Sequence, residues 1–431
     1  MEKLINKQLV NYLNRFNIIA DNQYGFKKGV STEDAVVQLT EFVAQKLDTQ
    51  QKCIGLFLDL TKAFDTVSVP ILLSRLELIG IRGTALKLFQ TYLEDRRICV
   101  KIGDLTSEDE MISYGVPQGS VIGPTLFLIY INNLCNLTLF KSKIIAYADD
   151  TAIVVYGNSW SEAKCTAETS LRIVMGWLND NKLTLNLSKT NYIPFTLNPH
   201  INPITPYTIK AHTCRDTTST TCSCVAVSKV TNVKYLGVII DEGLKWYTHL
   251  ETLSNKIRKS IHIFKTLRHC ADAKILKEVY TALCQSVIGY CISVWGGVAK
   301  SRFLEVERAQ RAVLKVMLAK PFGYPTKQLY GETKVLTVRQ LYVLRATLWR
   351  HQNLPPQDPS KRTNRLICPT QVHKTSFARK QLYVISSLIY KNVNKQIKIT
   401  TLNNYEVKKN IHNWLLEKDY AQTEALLHHG I

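Results

Sequence analysis

Acidic residues are in short supply. The 431-residue chain carries 34 Asp and Glu against 55 Lys and Arg, a formal net charge of +21 at pH 7. Such an excess of base disfavours a small neutral ligand and fits a polyanion, RNA or DNA, as partner. Long apolar runs are lacking as well. None approaches the ~20 residues that span a bilayer, and no basic helix with a continuous apolar face marks a membrane-surface protein, so no membrane partner is expected. The leading residues Met1-Glu-Lys-Leu-Ile-Asn6 run into polar sequence and show no signal peptide. No internal repeat is visible. The 11 cysteines are odd in number and share no repeated spacing. They fit a reducing, intracellular compartment (nucleus or cytoplasm) and mostly buried thiols rather than a disulfide framework. His212, Cys214, Cys222 and Cys224 form one cluster, but Cys-x-Cys is poor ligand spacing and the surroundings are rich in Thr and Ser. This cluster reads as a floppy loop, not a zinc site.

What is present suffices for a sizeable core. With 45% hydrophobic residues, a chain of this length is expected to build two or three domains. The segment Lys143-Ile-Ile-Ala-Tyr-Ala-Asp-Asp-Thr-Ala-Ile-Val-Val-Tyr156 has two apolar, β-branched runs around a short polar centre, the pattern of a hairpin. Its tip carries adjacent carboxylates, Asp149 and Asp150. Neighbouring strand residues point to opposite faces, so two acids side by side are poor core filling. Cys53-Ile-Gly-Leu-Phe-Leu-Asp-Leu60 reads as a strand buried on both faces, with Asp59 near its end. An unpaired charge there is costly. If the two strands are sheet neighbours, the three acids converge, and ionising them together calls for bridging cations. Paired magnesium ions ~4 Å apart suit hard carboxylate oxygens, with manganese an alternative.

Around these strands the pattern is largely helical. Helices are predicted over 1–20, from an Ser31 N-cap to about Leu47, over Pro70–Leu78, Thr84–Glu94, Thr125–Leu134 and 159–186. Lys27 and Lys28 sit on a Gly-flanked loop suited to phosphate. Asp65 reads as a turn residue. Short strands are expected at Ile98–Ile102 and Met111–Tyr114, and a strand over Leu183–Thr190. The loop Gly115–Pro124, with three glycines and two prolines, lets backbone approach a ligand closely. Residues 197–230 look like an insertion loop. The strand Val233–Asp241 contains Gly237, suggesting close approach of another backbone. From Leu244 a basic amphipathic helix presents Lys256, Arg258 and Lys259, suited to a phosphate backbone. Helices around 272–296 and 301–319 follow, then a Pro-rich linker after His351, basic pairs Lys361-Arg362 and Arg379-Lys380, and a helix over Tyr405–Leu416.

Taken in order, Leu58-Asp-Leu-Thr-Lys-Ala-Phe-Asp-Thr-Val67, Gly115-Val-Pro-Gln-Gly-Ser-Val-Ile-Gly-Pro124, Tyr147-Ala-Asp-Asp150, Leu185-Asn-Leu-Ser-Lys-Thr190 and Tyr235-Leu-Gly-Val238 resemble the successive palm motifs of reverse transcriptases. Their order and spacing are similar to those of non-LTR (LINE-type) retrotransposons, jockey-like and CR1-like. Gln23-Tyr-Gly-Phe through Thr32 resembles that family's late-fingers segment. The resemblance implies an α+β fold: a right-hand polymerase with an antiparallel-sheet palm packed on helices (51–243), partial fingers (1–50), a helical thumb (244–320) and a mainly helical C-terminal extension (321–431). It implies RNA-directed DNA polymerase activity on an RNA template, a DNA primer and dNTPs. Asp59, Asp149 and Asp150 are then the metal-binding triad, and Phe64 a steric gate against the 2′-hydroxyl. Gln118 and Gly119 line the nucleotide pocket, and Ala148 lies near the primer end. Lys189 protonates pyrophosphate, while Tyr235, Leu236 and Gly237 grip the primer. The chain shows no earlier fingers segment, endonuclease or RNase H pattern, so it is expected to be a truncated element copy. The alternative is a catalytically silent remnant that binds RNA.

Overall fold

The computed structural model describes residues 1–198, 208–214, 222–354 and 374–428. The chain divides into two compact units, residues 1–35 with 51–236 and residues 36–50 with 237–431.

The first unit contains α1 (Glu2–Arg15), the start of α2 (Thr32–Asp48), β1 (Lys52–Leu58), α3 (Val69–Leu78) and α4 (Gly83–Leu93). Four short strands follow: β2 (Arg96–Ile98), β3 (Lys101–Ile102), β4 (Leu105–Thr106) and β5 (Glu110–Ile112). Then come α5 (Gly123–Cys135), β6 (Ser142–Tyr147), β7 (Asp150–Gly157), α6 (Trp160–Asp180), β8 (Asn191–Phe195), β9 (Ser228–Lys229) and β10 (Asn232–Tyr235). One sheet of five strands, ordered β6-β7-β1-β8-β9, organises the unit. Its centre is antiparallel, and only the edge pair β8–β9 runs parallel. β1 is the central strand, and Cys53–Leu58 are all buried, as an unbroken apolar run requires. Helix α5 is apolar nearly all round and correspondingly interior; Leu126, Phe127, Tyr130 and Ile131 are fully enclosed. These residues join Leu56, Ile153, Leu171 and Val174 in one core between the sheet and its helices.

Two sequence expectations fail here for a local reason. Helix α6 stops at Asp180 rather than 186, because Lys182 takes φ +54 and reverses the chain. Leu183–Thr190 is not a strand. Leu185 makes a single bridge to Leu60, and the Asn186–Thr190 segment then closes into a turn, with Thr190 N–H donating to Asn186 O at 2.9 Å. The alternating leucines mimic a strand because Leu183, Leu185 and Leu187 all face the core. The insertion is likewise not a featureless loop over its described residues. Ala211 N–H donates to Val225 O and Val227 N–H to Ile209 O, each at 2.8 Å, so 209–211 and 225–227 form antiparallel arms with Ile209, Ala211 and Val227 buried.

Over its described residues the second unit is helical apart from β11 (Val238–Asp241). It holds most of α2, α7 (Tyr247–Leu267), α8 (Ala273–Tyr280), α9 (Ser286–Gly289), α10 (Ile292–Trp295), α11 (Lys300–Met317), α12 (Thr326–Thr333), α13 (Val338–Gln352), α14 (Ser376–Arg379), α15 (Leu382–Ile397), α16 (Asn404–Leu416) and α17 (Tyr420–Ala425). The single helix expected over 272–296 is broken. Residues 281–285 widen into a π turn, and Cys291 adopts φ +49, so the chain restarts at α10. Gly237 does not admit a neighbouring backbone; it occupies a turn at φ +79, and a Cβ there would meet the Tyr290 ring at 3.2 Å. The thiols are less enclosed than expected: Cys53, Cys135, Cys284 and Cys291 are buried, whereas Cys99, Cys165 and Cys270 are exposed. Among the described residues no helix is long and apolar enough to cross a membrane. Lys361-Arg362 and most of the Pro-rich linker lie outside the described residues.

Candidate active site

Register brings the acids together. β1 pairs β7 antiparallel through Leu58↔Thr151, so Asp59, one residue further, lies across from Asp150. β6 pairs β7 through Tyr147↔Asp150, leaving Ala148 and Asp149 as a two-residue turn. Opposed residues on adjacent strands have Cα atoms only ~4.5–5.5 Å apart. The three carboxylates therefore share one end of the sheet. Burial pushes Asp149 above the usual carboxylate range, and the Asp59 charge adds to the rise. Asp150 is raised by loss of hydration first, then by Asp149 and Asp59. Among the described residues no Lys, Arg or His forms a salt bridge to any of the three. Crowded, partly dehydrated carboxylates without a protein counter-charge are the donor set that a hard divalent cation fits.

The turn itself is held under strain. Two-residue hairpin turns favour Gly where φ is positive, yet Ala148 sits there at φ +57 and is buried. What fastens it is Gln23, whose own exposure is 1%. Its Oε1 accepts from Ala148 N–H at 2.9 Å and from Gly25 N–H at 2.8 Å. The main chain alongside completes the clamp: Tyr24 N–H donates to Ala146 O at 2.8 Å and Ala146 N–H to Asn22 O at 2.9 Å. Residues 22–25 thus lie as an extra edge along β6. Gly25 approaches so closely that a Cβ would stand 2.4 Å from Ala148 N. Neither Gln23 nor Gly25 stood out individually in the sequence; a glutamine two residues before a glycine has no signature of its own.

Asp59 is positioned from the other side. Asn186 N–H donates to Asp59 O at 2.8 Å, and the fully buried Thr190 offers its Oγ1 to Asp59 N–H at 3.4 Å. Lys189, in the same turn, is exposed. Phe64 lies in the helical turn that follows β1, stacked on Phe127 at 4.1 Å between ring centroids and edge-on to Phe26 at 6.4 Å. The glycine-rich loop is pinned against it. Val116 N–H donates to Phe64 O at 3.0 Å, and Gly115, at φ +93, leaves no room for a Cβ beside Asp65. Gln118 Nε2 donates to Asp65 Oδ1 at 2.7 Å, so Asp65 does more than shape its own turn. Gly119, at φ +80, is open on its Cα side. Glu2 anchors the loop's far end by accepting from Val121 N–H at 2.9 Å.

Other singled-out residues are divided. Lys27 Nζ is engaged with Ala20 O at 3.2 Å, while Lys28 is exposed. Tyr235 is buried: its hydroxyl donates to Ile145 O at 3.2 Å and its ring meets Phe57 edge-on at 5.5 Å. Burial, then the Asp150 charge, raises its phenol. Its side chain faces the sheet, and only the Leu236–Gly237 turn remains for outside contact. In the second unit, Lys256, Arg258 and Lys259 are exposed on α7, opposite the buried Leu253, Ile257 and Phe264.

A sheet bearing convergent carboxylates at one end, helices behind it and a glycine-rich loop beside it is the palm of a right-hand polymerase. Residues 1–240 match the family described as Reverse transcriptase (RNA-dependent DNA polymerase). That is more than half of the chain, and the chain belongs to this family, whose members generally use divalent metal ions. Among curated relatives it is 26% identical over 349 residues to the probable RNA-directed DNA polymerase from transposon BS of Drosophila melanogaster, covering 79% of this chain and 37% of the relative. It is 25% identical to the RNA-directed DNA polymerase from mobile element jockey of Drosophila funebris, covering 78% and 36%. The chain thus spans little more than a third of the length of these relatives. Among solved structures it aligns with telomerase from Candida albicans at TM-score 0.45 and 12% identity, over 97% of this chain and 57% of that one.

Proposed function

We propose that this chain is the polymerase portion of a non-LTR retrotransposon protein, adding dNTPs to the 3′-hydroxyl of a DNA primer on an RNA template. In this reading 51–243 is the palm, 244–320 the thumb, 1–50 partial fingers and 321–431 a C-terminal extension. The observation that carries it is the meeting of Asp59, Asp149 and Asp150 at one sheet end with no salt-bridging Lys, Arg or His among the described residues. Asp59 and Asp149 are the primary ligands and Asp150 the third, for two magnesium ions, with manganese an alternative. Bound there, the ions supply Lewis acidity toward the attacking hydroxyl and charge neutralisation toward the departing pyrophosphate.

The remaining residues position and exclude. Gln23 holds the Ala148–Asp149 turn, which fixes both hairpin carboxylates relative to Asp59. Phe64, wedged against Phe127, presents a ring edge where a 2′-hydroxyl would lie and so favours deoxynucleotides. Gln118 and Gly119 line the nucleotide pocket, with Gln118 oriented by Asp65. Lys189 gives a proton to the leaving pyrophosphate from its exposed turn. Leu236 and Gly237 bear on the primer, and Lys28, Lys256, Arg258 and Lys259 track phosphates. The test is magnesium-dependent dTTP incorporation on a poly(rA)/oligo(dT) primer-template by purified chain. Extension supports the reading. RNA binding without any extension refutes it in favour of a silent RNA-binding remnant.

A further inference from the structure

The insertion between β8 and β10 holds a second, chemically different donor set. Its two arms run antiparallel with Lys210 opposite Ala226, and His212, Cys214, Cys222 and Cys224 follow just beyond that bridge. Alternate residues of an extended arm point to one face. His212, Cys214, Cys222 and Cys224 are each half-buried while the intervening Thr213 and Ser223 are exposed, so the four ligands turn to the same side. The spacing that looks poor for a helix or loop is the right one for paired extended arms. One ligand atom from each of the four residues lies within 4.8 Å of all the others. His212 Nδ1 is 3.4 Å from Cys222 Sγ and 3.7 Å from Cys214 Sγ. Tetrahedral zinc, with Zn–S of ~2.3 Å and Zn–N of ~2.0–2.1 Å, sets nitrogen and sulfur about 3.6 Å apart.

One further observation points to a metal. His212 turns its other ring nitrogen toward Glu168, with Nε2 to Oε1 at 3.9 Å. A carboxylate behind the distal nitrogen is the usual second partner of a metal-bound imidazole. Lys210 Nζ is 3.8 Å from Cys222 Sγ and donates to Cys222 O at 2.8 Å. The lysine ties the two arms together at Cys222. No disulfide joins the three sulfurs. We propose that His212, Cys214, Cys222 and Cys224 bind one zinc ion in a closed tetrahedral site that clasps the two arms of the insertion. It takes no part in the carboxylate chemistry, whose hard oxygen donors select a different class of ion.

The test is metal analysis of the full chain, purified under reducing conditions without added zinc and passed through a chelator wash. One zinc per chain is expected, remaining after magnesium is stripped. Replacing it with cobalt(II) should give the visible bands of a tetrahedral ion and a near-ultraviolet thiolate-to-cobalt charge-transfer band. Cys222→Ser should lower bound metal at least tenfold, and Cys270→Ser, an exposed thiol elsewhere, should leave it at one. If Cys222→Ser does not fold, titration of the wild-type chain with a mercurial and a zinc-sensitive dye replaces it, and should release one zinc. Less than a tenth of a zinc per chain with no cobalt charge-transfer band overturns the proposal. So does a disulfide among the three cysteines in the reduced, purified protein, or full zinc retention in Cys222→Ser.

Discussion

Gly25→Ala isolates the clamp on the acidic hairpin. Gly25 is not in the left-handed region, so alanine brings no backbone penalty of its own. The added Cβ would meet Ala148 N at 2.4 Å and Tyr147 C at 3.0 Å, where ordinary contact begins at 3.4 Å. Both atoms are backbone and cannot rotate away, so residues 22–25 and the turn must separate by about 1 Å. Overpacking of this kind costs ~1–3 kcal/mol, which in a unit this size lowers Tm by about 2–4 °C per kcal/mol. A displacement of about 1 Å at reacting groups costs ~10²-fold in rate. Gly29→Ala is the control. It sits at φ +82 with nothing within 4 Å, so it loses ~1–2 kcal/mol through strain alone and displaces no carboxylate. The expectation is a primer-extension rate reduced about 100-fold in Gly25→Ala and unchanged within about threefold in Gly29→Ala, at comparable melting temperatures. A folded Gly25→Ala chain that extends primer like wild type would refute the claim that residues 22–25 place Asp149 and Asp150.

Asp149→Asn should abolish extension while leaving RNA affinity within about twofold and raising the metal-free melting temperature, because it removes one charge from a repelling cluster; lower metal-free stability would contradict the raised carboxyls. The pH dependence follows with a definite sign. Asp149 and Asp150 are raised above 3.8 in the folded chain, so the folded state binds their protons more tightly. Their stabilising contribution is complete below pH 3.8 and is lost as pH climbs through the raised folded values. Metal-free melting followed from pH 3.5 to pH 7 in parallel with the Asp149→Asn/Asp150→Asn double variant should show the wild type losing ground; parallel curves would remove the effect. Phe64→Val unstacks Phe127 and should raise ribonucleotide over deoxynucleotide incorporation at least about tenfold, a ~1.4 kcal/mol change in discrimination; unchanged sugar selection argues against the gate. Replacing Lys256, Arg258 and Lys259 together by Ala should flatten the dependence of log Kd for RNA on log salt by about 2, from ~0.7 per phosphate contact, and an unchanged slope places RNA elsewhere.

The fold was legible where periodicity and burial agree. The unbroken apolar run of β1 fixed a central strand, and the β6–β7 hairpin was readable from two β-branched runs about a polar centre. Helix α7 showed its basic and apolar faces directly. Legibility ended where tertiary partners override a local pattern. Leu183, Leu185 and Leu187 alternate like a strand, yet the segment is bent by hydrogen bonds to Asp59, a residue more than a hundred positions earlier. The break at Cys291 rests on a left-handed residue with no composition cue. At the site, the acids advertise themselves because charge in an apolar strand has to be explained. Gln23 does not, since the bond it accepts from Ala148 depends on a turn formed by residues over a hundred positions away.

Three costs in the first unit meet at the carboxylate end of the sheet. Ala148 holds a conformation that most residues avoid. Asp149 and Asp150 are pressed toward each other and toward Asp59 with their carboxyls partly dehydrated. The Thr151 hydroxyl beside them is 1% exposed and finds no partner among the described residues. Each feature opposes folding by an amount on the order of 1–3 kcal/mol, and none of them improves packing. Elsewhere along β1 and β7 every buried position is apolar and in register. Strain, repulsion and an orphan hydroxyl that coincide at the carboxylate rim mark a scaffold holding groups in place for a purpose other than stability. On the proposed reading a divalent cation would relieve the repulsion without disturbing the clamp, so the arrangement that costs stability is the one suited to binding.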